Sequence, residues 1–407
     1  MRELHLLPAV NKELIVSVLG GGGEGKLSLP LFSFYPKISF LSLCERTFIR
    51  MQHFHKLKVK EVRVETPECV SIAFDVPADL KEDFKYIQGQ YLTLRETING
   101  EEVRRSYSLC SCPLDVEWRV AIKKLEGGRF STWAHENLKT GDEIDVMPPQ
   151  GRFYCNLDPK NENNYIMFAS GSGITPIMST IKTILKTEPK SEIQLFYGNK
   201  NIENIIFRDE LEDLKNIYLG RFTVHYILSR QAQESDWFNG RIDLDKLKNY
   251  AKVFFDPKEV DGFFICGPQP MLLALRDGLM EMGVEKPKVH VELFSSYVES
   301  NKEKEEAWKE EYKGKAAKVQ VIVDGKTLDF VLPYGGNSIL DGALRKGADL
   351  PYACKGGVCC TCKAKVLEGE VEMTVNYGLE DDEVENGYIL TCQSHPRTEN
   401  LVVDFDQ

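Results

Sequence analysis

The sequence predicts a multidomain protein: an antiparallel β-barrel, then a parallel doubly wound α/β sheet, then a smaller α+β domain. Three observations predict it. Between His55 and Asp158 short runs of Val, Ile, Phe and Tyr recur between turn residues. Between Asn164 and Leu293 strand-length apolar runs alternate with helix-length ones. Near the C-terminus Cys354, Cys359 and Cys362 stand four and two residues apart, and Cys392 follows after twenty-nine more.

Bulk composition agrees with several folded parts. A chain of 407 residues exceeds one ordinary core. Hydrophobic content of 42% and charged content of 28% are those of a globular protein. No run of eighteen apolar residues exists, so no membrane span is expected. Net charge is −11, and residues 318–407 hold eight Lys/Arg against fifteen Asp/Glu. That balance argues against nucleic acid as a partner.

Residues 1–50 read as an extension, either disordered or a mis-assigned start with Met51 as the true one. Gly20–Lys26 imitates a phosphate loop, but Leu27 stands where Ser or Thr should reach a metal. Pro30 then blocks the helix such a loop opens. The apolar stretch from Leu29 to Leu43 is broken by Pro and Lys, so it is no signal peptide.

Residues 51–158 form the predicted barrel. Its strands are Leu57–Val64, Cys69–Val76, Gln90–Leu94, Trp118–Leu125 and Glu143–Val146. Arg105-Ser-Tyr107-Ser108 lies inside it, and Gly127-Gly128-Arg-Phe130-Ser131 opens a helix to Leu138. Glycines before hydroxyls at a helix start offer amides to a phosphate. Pro149-Gln-Gly151-Arg-Phe153 closes the barrel.

Residues 159–298 form the α/β part. Strands are expected at Tyr165–Ala169, Ile193–Tyr197, Phe222–Leu228, Gly262–Cys266 and Lys288–Leu293, with helices such as Ile177–Thr187 and Phe207–Tyr218. Gly171-Ser-Gly173-Ile-Thr175-Pro176 falls at the first strand-to-helix turn, where such sheets bind ligands. It lacks the third glycine of a dinucleotide fingerprint. Residues 299–317 are a charged linker with five Lys and five Glu from 300 onward. Asp324-Gly325 then turns a hairpin that opens the last domain, 318–407.

The cysteine intervals there are those of a plant-type [2Fe–2S] site. Four Cys also suit zinc, but structural zinc sites use two short knuckles. Gly356 and Gly357 supply the unusual dihedrals of a folded-back loop, and their amides face the sulfurs. Cys360 has no place in the spacing and reads as a bystander. The other Cys, at 44, 69, 110, 112, 155 and 266, make no disulfide framework, so a reducing cytoplasm is expected.

Arg105-x-Tyr107-Ser108, Gly128-x-x-Ser131, Gly171-x-Gly173-Ile-Thr175-Pro176 and Cys266-Gly267-Pro268-Gln-Pro-Met271 occur in that order. Together they resemble the ferredoxin–NADP reductase superfamily over about 55–293. With a plant-type ferredoxin domain behind them, the whole resembles the reductase components of multicomponent oxygenases. The run Lys355–Cys362 looks closest to the reductase subunits of phenylacetyl-CoA epoxidases. The resemblance implies a β-grasp fold for the last domain, and FAD, NADPH (with NADH possible) and a [2Fe–2S] cluster as cofactors.

It also implies roles. Arg105 meets the flavin phosphates with a planar fork. Tyr107 lies on the isoalloxazine, and Ser108 hydrogen-bonds near N5. Ile122 and Lys123 border the flavin, and the amides of Gly128, Phe130 and Ser131 hold pyrophosphate, which favours FAD over FMN. Gly171, Gly173, Thr175 and Pro176 admit the nicotinamide. Cys266 stands near the hydride-bearing carbon, with Gly267 and Pro268 shaping its turn. Ser229 and Arg230, helped by Lys200, suit a 2′-phosphate. Glu292-Leu-Phe294 closes over the flavin. Cys354, Cys359, Cys362 and Cys392 hold the cluster.

The expected activity passes a hydride from NADPH to FAD and single electrons through the cluster to a separate oxygenase, that of phenylacetyl-CoA epoxidase. No Glu-x-x-His pair, the mark of a di-iron bundle, occurs in this chain. Glu380, Asp381, Asp382, Glu383 and Glu385 are expected as an exposed acidic face that steers a basic partner. Two other readings stay open. One is the reductase of a Rieske, alkane or steroid oxygenase. The other is an iron–sulfur carrier or sensor with vestigial flavin motifs.

Overall fold

The computed structural model describes residues 53–294, 310–312 and 314–407. The expectations for residues 1–50 lie outside the described residues, as does most of the charged linker.

Six strands make the first sheet: β1 (His55–Thr66), β2 (Cys69–Asp75), β3 (Tyr91–Ile98), β4 (Glu101–Ser108), β5 (Trp118–Lys123) and β6 (Glu143–Gln150). All pairs are antiparallel, in the order β4-β3-β6-β1-β2-β5. A bridge between Leu109 and Val120 joins the two edge strands and closes the barrel. Alternate residues point inward, so Leu57, Val59, Ile72, Phe74, Leu92, Leu94, Val120, Ile122, Ile144 and Val146 fill one core. Helix α1 (Arg129–Asn137) adds Phe130 and Ala134 to it. Strand β4 is an element the sequence reading did not draw. It is made by a two-residue turn at Asn99-Gly100, with φ of 54° and 78°, that pairs Ile98 with Glu101.

The second sheet has five parallel strands: β7 (Asn164–Ser170), β8 (Glu192–Asn199), β9 (Phe222–Leu228), β10 (Gly262–Cys266) and β11 (Val289–Glu292). Their order is β11-β10-β7-β8-β9, so the direction of winding reverses between β7 and β10. Helices α2 (Ile174–Thr187), α3 (Arg208–Ile217), α4 (Leu244–Val253) and α5 (Gln269–Glu281) cover both faces. Ile166, Phe168, Phe196 and Phe263 pack on α4 and α5 through Leu247 and Leu275. Met167, Leu195, Tyr197 and Phe264 pack on α2 and α3 through Ile181 and Leu211. Burial on both faces is why these strands read as continuous apolar runs. Helix α2 starts at Ile174, before the expected Ile177, because Pro176 is tolerated in a first turn that needs no amide donor.

The last domain runs β12 (Ala316–Val323), β13 (Lys326–Pro333), α6 (Ile339–Arg345), β14 (Lys363–Glu368), β15 (Val371–Met373), α7 (Asp381–Glu385), β16 (Tyr388–Leu390), β17 (Ser394–Pro396) and β18 (Asn400–Asp404). Five strands form a mixed sheet, β13-β12-β18-β14-β16, with β12 and β18 parallel. Helix α6 lies across it through Ile339, Leu340 and Ala343, in the manner of a β-grasp. Ser338 caps that helix by accepting from the Asp341 amide at 3.2 Å.

Candidate functional site

Strand β4 presents two faces. Tyr107 turns toward α1, with its ring centroid 5.7 Å from that of Phe130, and Arg105 is exposed on the same face. Ser108 faces the other way and is buried. The Arg105 guanidinium donates to the Arg104 carbonyl at 2.7 Å. The Tyr107–Phe130 contact draws the start of α1 against this strand. There Gly128 is the cap, and the first turn holds no acidic side chain. The first amides of a helix have no partner inside it and stand at its positive end, which suits a phosphate. Ser131 braces the turn, its hydroxyl accepting from the Leu125 amide at 3.1 Å. A side chain at position 128 would put its Cβ 2.4 Å from that hydroxyl, which is why glycine stands there. Ile122 offers its carbonyl to His135 Nε2 at 2.9 Å, and Lys123 pairs with Glu68 at 3.6 Å.

The strand-order reversal brings the Gly171 and Cys266 turns together. Gly173 packs so closely that a Cβ there would lie 2.1 Å from the Cys266 carbonyl oxygen. Gly171 has φ of +54°, and its carbonyl accepts from Tyr197 OH at 3.0 Å. Thr175 and Pro176 are buried in the first turn of α2, where the Thr175 hydroxyl donates to the Ser172 carbonyl at 3.1 Å. Cys266 is fully buried, and that burial pushes its thiol pKa well up, so it remains neutral. Gly267 follows, and Pro268 caps α5. Ser229 and Arg230 stand exposed past the end of β9, where the Ser229 hydroxyl donates to the Asn199 carbonyl at 3.2 Å. Lys200 leans toward the barrel instead, 3.5 Å from Glu68.

Glu292 ties the two halves of the site together. It is the register partner of Cys266 in the β10–β11 pair. Its carboxylate lies 3.5 Å from the Ser108 hydroxyl, which donates to it. Burial raises its pKa to about 8, against a smaller opposing pull from that hydroxyl. The native state therefore holds a proton that the unfolded chain releases near 4.5. The stability this group contributes is complete below that value and falls away as pH rises to about 8. Glu292→Gln is expected to flatten the loss of melting temperature across that window. Phe294, just beyond, is 40% exposed rather than core-packed.

In the last domain the cluster loop departs from expectation in one respect. The left-handed conformation falls on Lys355 (φ 52°), Gly357 (φ 73°) and Cys360 (φ 55°), and not on Gly356. Gly356 serves through its amide, which donates to Cys354 Sγ at 3.3 Å. The four thiols neighbour one another in two pairs, Cys354 with Cys359 and Cys362 with Cys392. Contact with Cys359 and with the amides of Gly356, Val358 and Cys359 pulls the Cys354 pKa down. Among the described residues no three His, Cys, Asp or Glu side chains converge as a single metal ion requires. Two thiol pairs, one for each metal, are what a centre of two irons needs.

Three family models match in series: an oxidoreductase FAD-binding domain at residues 56–154, an oxidoreductase NAD-binding domain at 167–277 and a 2Fe-2S iron-sulfur cluster binding domain at 321–397. The chain is 43% identical over 356 residues to a component of 1,2-phenylacetyl-CoA epoxidase from Escherichia coli strain K12. That alignment spans 88% of this chain and 99% of the relative. The chain belongs to the ferredoxin–NADP reductase family with a C-terminal [2Fe–2S] domain. It is an oxidoreductase that works in electron transfer. It is also 35% identical to the ferredoxin reductase component of 3-ketosteroid-9-alpha-monooxygenase from Rhodococcus rhodochrous, over 86% of this chain and 96% of the relative. Phthalate dioxygenase reductase shares the fold, with a TM-score of 0.54 at 23% identity, covering 86% of this chain and 98% of that one.

In this reductase Glu380, Asp381, Asp382 and Glu385 are exposed as expected, and Glu383 alone is drawn in. Glu383 forms a two-pronged pair with Arg152, 2.6 Å at its longer prong, and lies 3.2 Å from Lys363. Burial opposes the charge on Glu383, but Arg152 outweighs burial and holds the carboxyl down at about 2. Glu380 and Asp381 approach Lys286 at 3.5 and 3.2 Å. Three of the five acids thus join the cluster domain to the rest of the chain. Sequence reasoning missed these partners, and it also missed Glu68 between Lys123 and Lys200. No local pattern marks a residue whose partner lies in another domain. No helix among the described residues is long and apolar enough to cross a membrane.

Proposed function

We propose that the chain is the NADPH-dependent reductase of a multicomponent oxygenase, and that its acceptor is the oxygenase component of a phenylacetyl-CoA epoxidase. The observation that carries the reading is the meeting of Ser108, Glu292 and Cys266, three residues from distant parts of the sequence, at the reversal point of the parallel sheet. Bound FAD supplies an acceptor that takes two electrons together and releases them singly.

The residues do the rest. Arg105 and the amides of Gly128, Phe130 and Ser131 hold the flavin phosphates. Tyr107 lies on the ring, while Ile122 and Lys123 border it. Ser108 holds a hydrogen bond at the reacting edge, and Glu292 closes that edge from the other domain. Gly171, Gly173, Thr175, Pro176, Gly267 and Pro268 shape a dry slot for the nicotinamide, and buried Cys266 forms its floor. Cys354, Cys359, Cys362 and Cys392 hold the iron centre. The partner assignment is supported by the Escherichia coli relative, which this chain matches over 99% of its length. Domain boundaries near 158, 298 and 317, a cytoplasmic location and the absence of nucleic-acid partners belong to the same proposal.

Exposed Arg230 and Ser229 support NADPH over NADH, because a guanidinium fork matches a phosphate. Anaerobic titration with each nucleotide, following flavin and cluster absorbance, tests the function. Bleaching of the flavin band and then the cluster band is expected, and a cluster-only spectrum would overturn it. Arg230→Ala should raise KM for NADPH about tenfold or more, the effect of losing a hydrogen bond to a charged group, and leave NADH unchanged.

A further inference from the structure

The barrel-closing segment and strand β3 have a use that neither flavin nor nicotinamide binding explains. Tyr91 is the register partner of Ser108 and so shares its face of the β3–β4 hairpin, the face opposite Arg105 and Tyr107. The Tyr91 ring is buried, and its hydroxyl donates to the carbonyl of Cys359. It also lies 3.0 Å from the Thr361 hydroxyl. Room for the ring comes from Gly151, at φ of +120°, where a Cβ would stand 3.0 Å from Tyr91 Cδ1. The next residue, Arg152, holds Glu383. On the same face Arg104 is buried, donates to the Leu350 carbonyl at 3.1 Å and stacks its guanidinium over Tyr352 at 4.1 Å. One hairpin thus carries Arg105 and Tyr107 on one face, and Ser108 beside the contacts to the cluster domain on the other.

We propose that Tyr91 is a positioning residue for the internal electron transfer: its hydroxyl fixes the cluster loop, at the backbone of Cys359, against the wall that holds the flavin. This inference rests on the function proposed above. With both centres in place, each transfer would oxidise the flavin by one electron and reduce the iron centre by one. No bond to Tyr91 forms or breaks, and its proton stays in place. The ordered path from the Ser108 strand through Tyr91 to the Cys359 peptide is what the hydrogen bond preserves.

The test is Tyr91→Phe in the full-length holoprotein, which keeps the ring and removes only the hydroxyl. In anaerobic stopped-flow with NADPH, the flavin should bleach at the wild-type rate, while the following cluster bleaching slows about five- to tenfold, as loss of one buried hydrogen bond implies. Amide exchange of the 358–362 segment, read by mass spectrometry, should quicken in the same variant. Thr361→Val, altered on the cluster side, should show the same split between the two steps if Tyr91→Phe fails to fold. Unchanged cluster bleaching and exchange would overturn the proposal, as would equal slowing of both steps, which marks a purely structural tyrosine. If the wild-type flavin does not bleach with either nucleotide, the proposed function falls, and the exchange measurement alone then decides whether Tyr91 holds the loop.

Discussion

The Cys392→Ser protein is expected to keep its flavin and lose its iron. Cys392 is buried between β16 and β17, and its thiol neighbours that of Cys362. The neighbouring Thr391 fixes that pair, since its amide and hydroxyl both donate to the Cys362 carbonyl, at 3.1 and 2.9 Å. Its own carbonyl accepts from the Leu340 amide at 3.1 Å, which ties the ligand to α6. A serine hydroxyl is a harder and far less acidic donor than a thiol and does not replace it toward iron. One iron would then keep a single protein sulfur. Cys360 is no ready substitute: its backbone is left-handed, and its Sγ is pressed against Gly378. The barrel has a separate core, so flavin reduction by a nicotinamide nucleotide should continue at the wild-type rate. Iron and acid-labile sulfide should fall to background, and single-electron output to an external acceptor with them. Full iron content in this variant would remove Cys392 from the ligand set.

Much of this is legible in the sequence, for reasons that differ by region. Phe222–Leu228 and Gly262–Cys266 match the observed strands end to end, because both faces of a parallel sheet are covered and the apolar run is unbroken. Asp324-Gly325 reads as a turn and is one, with both residues left-handed. Asn99-Gly100 carries an equally strong signal that is easily passed over, because the polar strand that follows it, Glu101–Ser108, lacks apolar alternation. Cysteine spacing announces the iron site, but it does not show which loop residue turns left-handed, and Lys355 takes the place expected of Gly356. Docking is not legible at all. Tyr91 and Cys359 are 268 positions apart, and Arg152 and Glu383 are 231 apart. Neither pair leaves a local pattern, so nothing in the sequence separates Glu383 from the exposed acids around it.

Gly173→Ala is expected to abolish hydride transfer, while Gly171→Ala only weakens the protein, although the two glycines belong to one motif. Gly171 has φ of +54°, a conformation that an L side chain enters at a cost of about 1 kcal/mol. A Cβ there meets only the end of the flexible Lys123 chain at 3.7 Å, so nothing blocks it. Gly173 is the reverse case. Its φ of −61° suits any residue, and the obstacle is space alone. The added carbon would lie 2.1 Å from the Cys266 oxygen, 2.5 Å from its carbonyl carbon and 2.9 Å from the Gly267 nitrogen. These are backbone atoms of β10 and its turn, and no rotamer change relieves the clash. Overpacking a well-filled interior costs roughly 1–3 kcal/mol where side chains yield, so about 3 kcal/mol is expected where the backbone must move. The movement pushes Cys266 away from β7, and with it the partner strand that carries Glu292. Both nucleotides should therefore fail to bleach the flavin in Gly173→Ala, with the flavin content of the barrel retained. Thermal melts should rank wild type above Gly171→Ala and Gly171→Ala above Gly173→Ala. Wild-type bleaching by Gly173→Ala would show that the close approach of these two turns does not build the nicotinamide site.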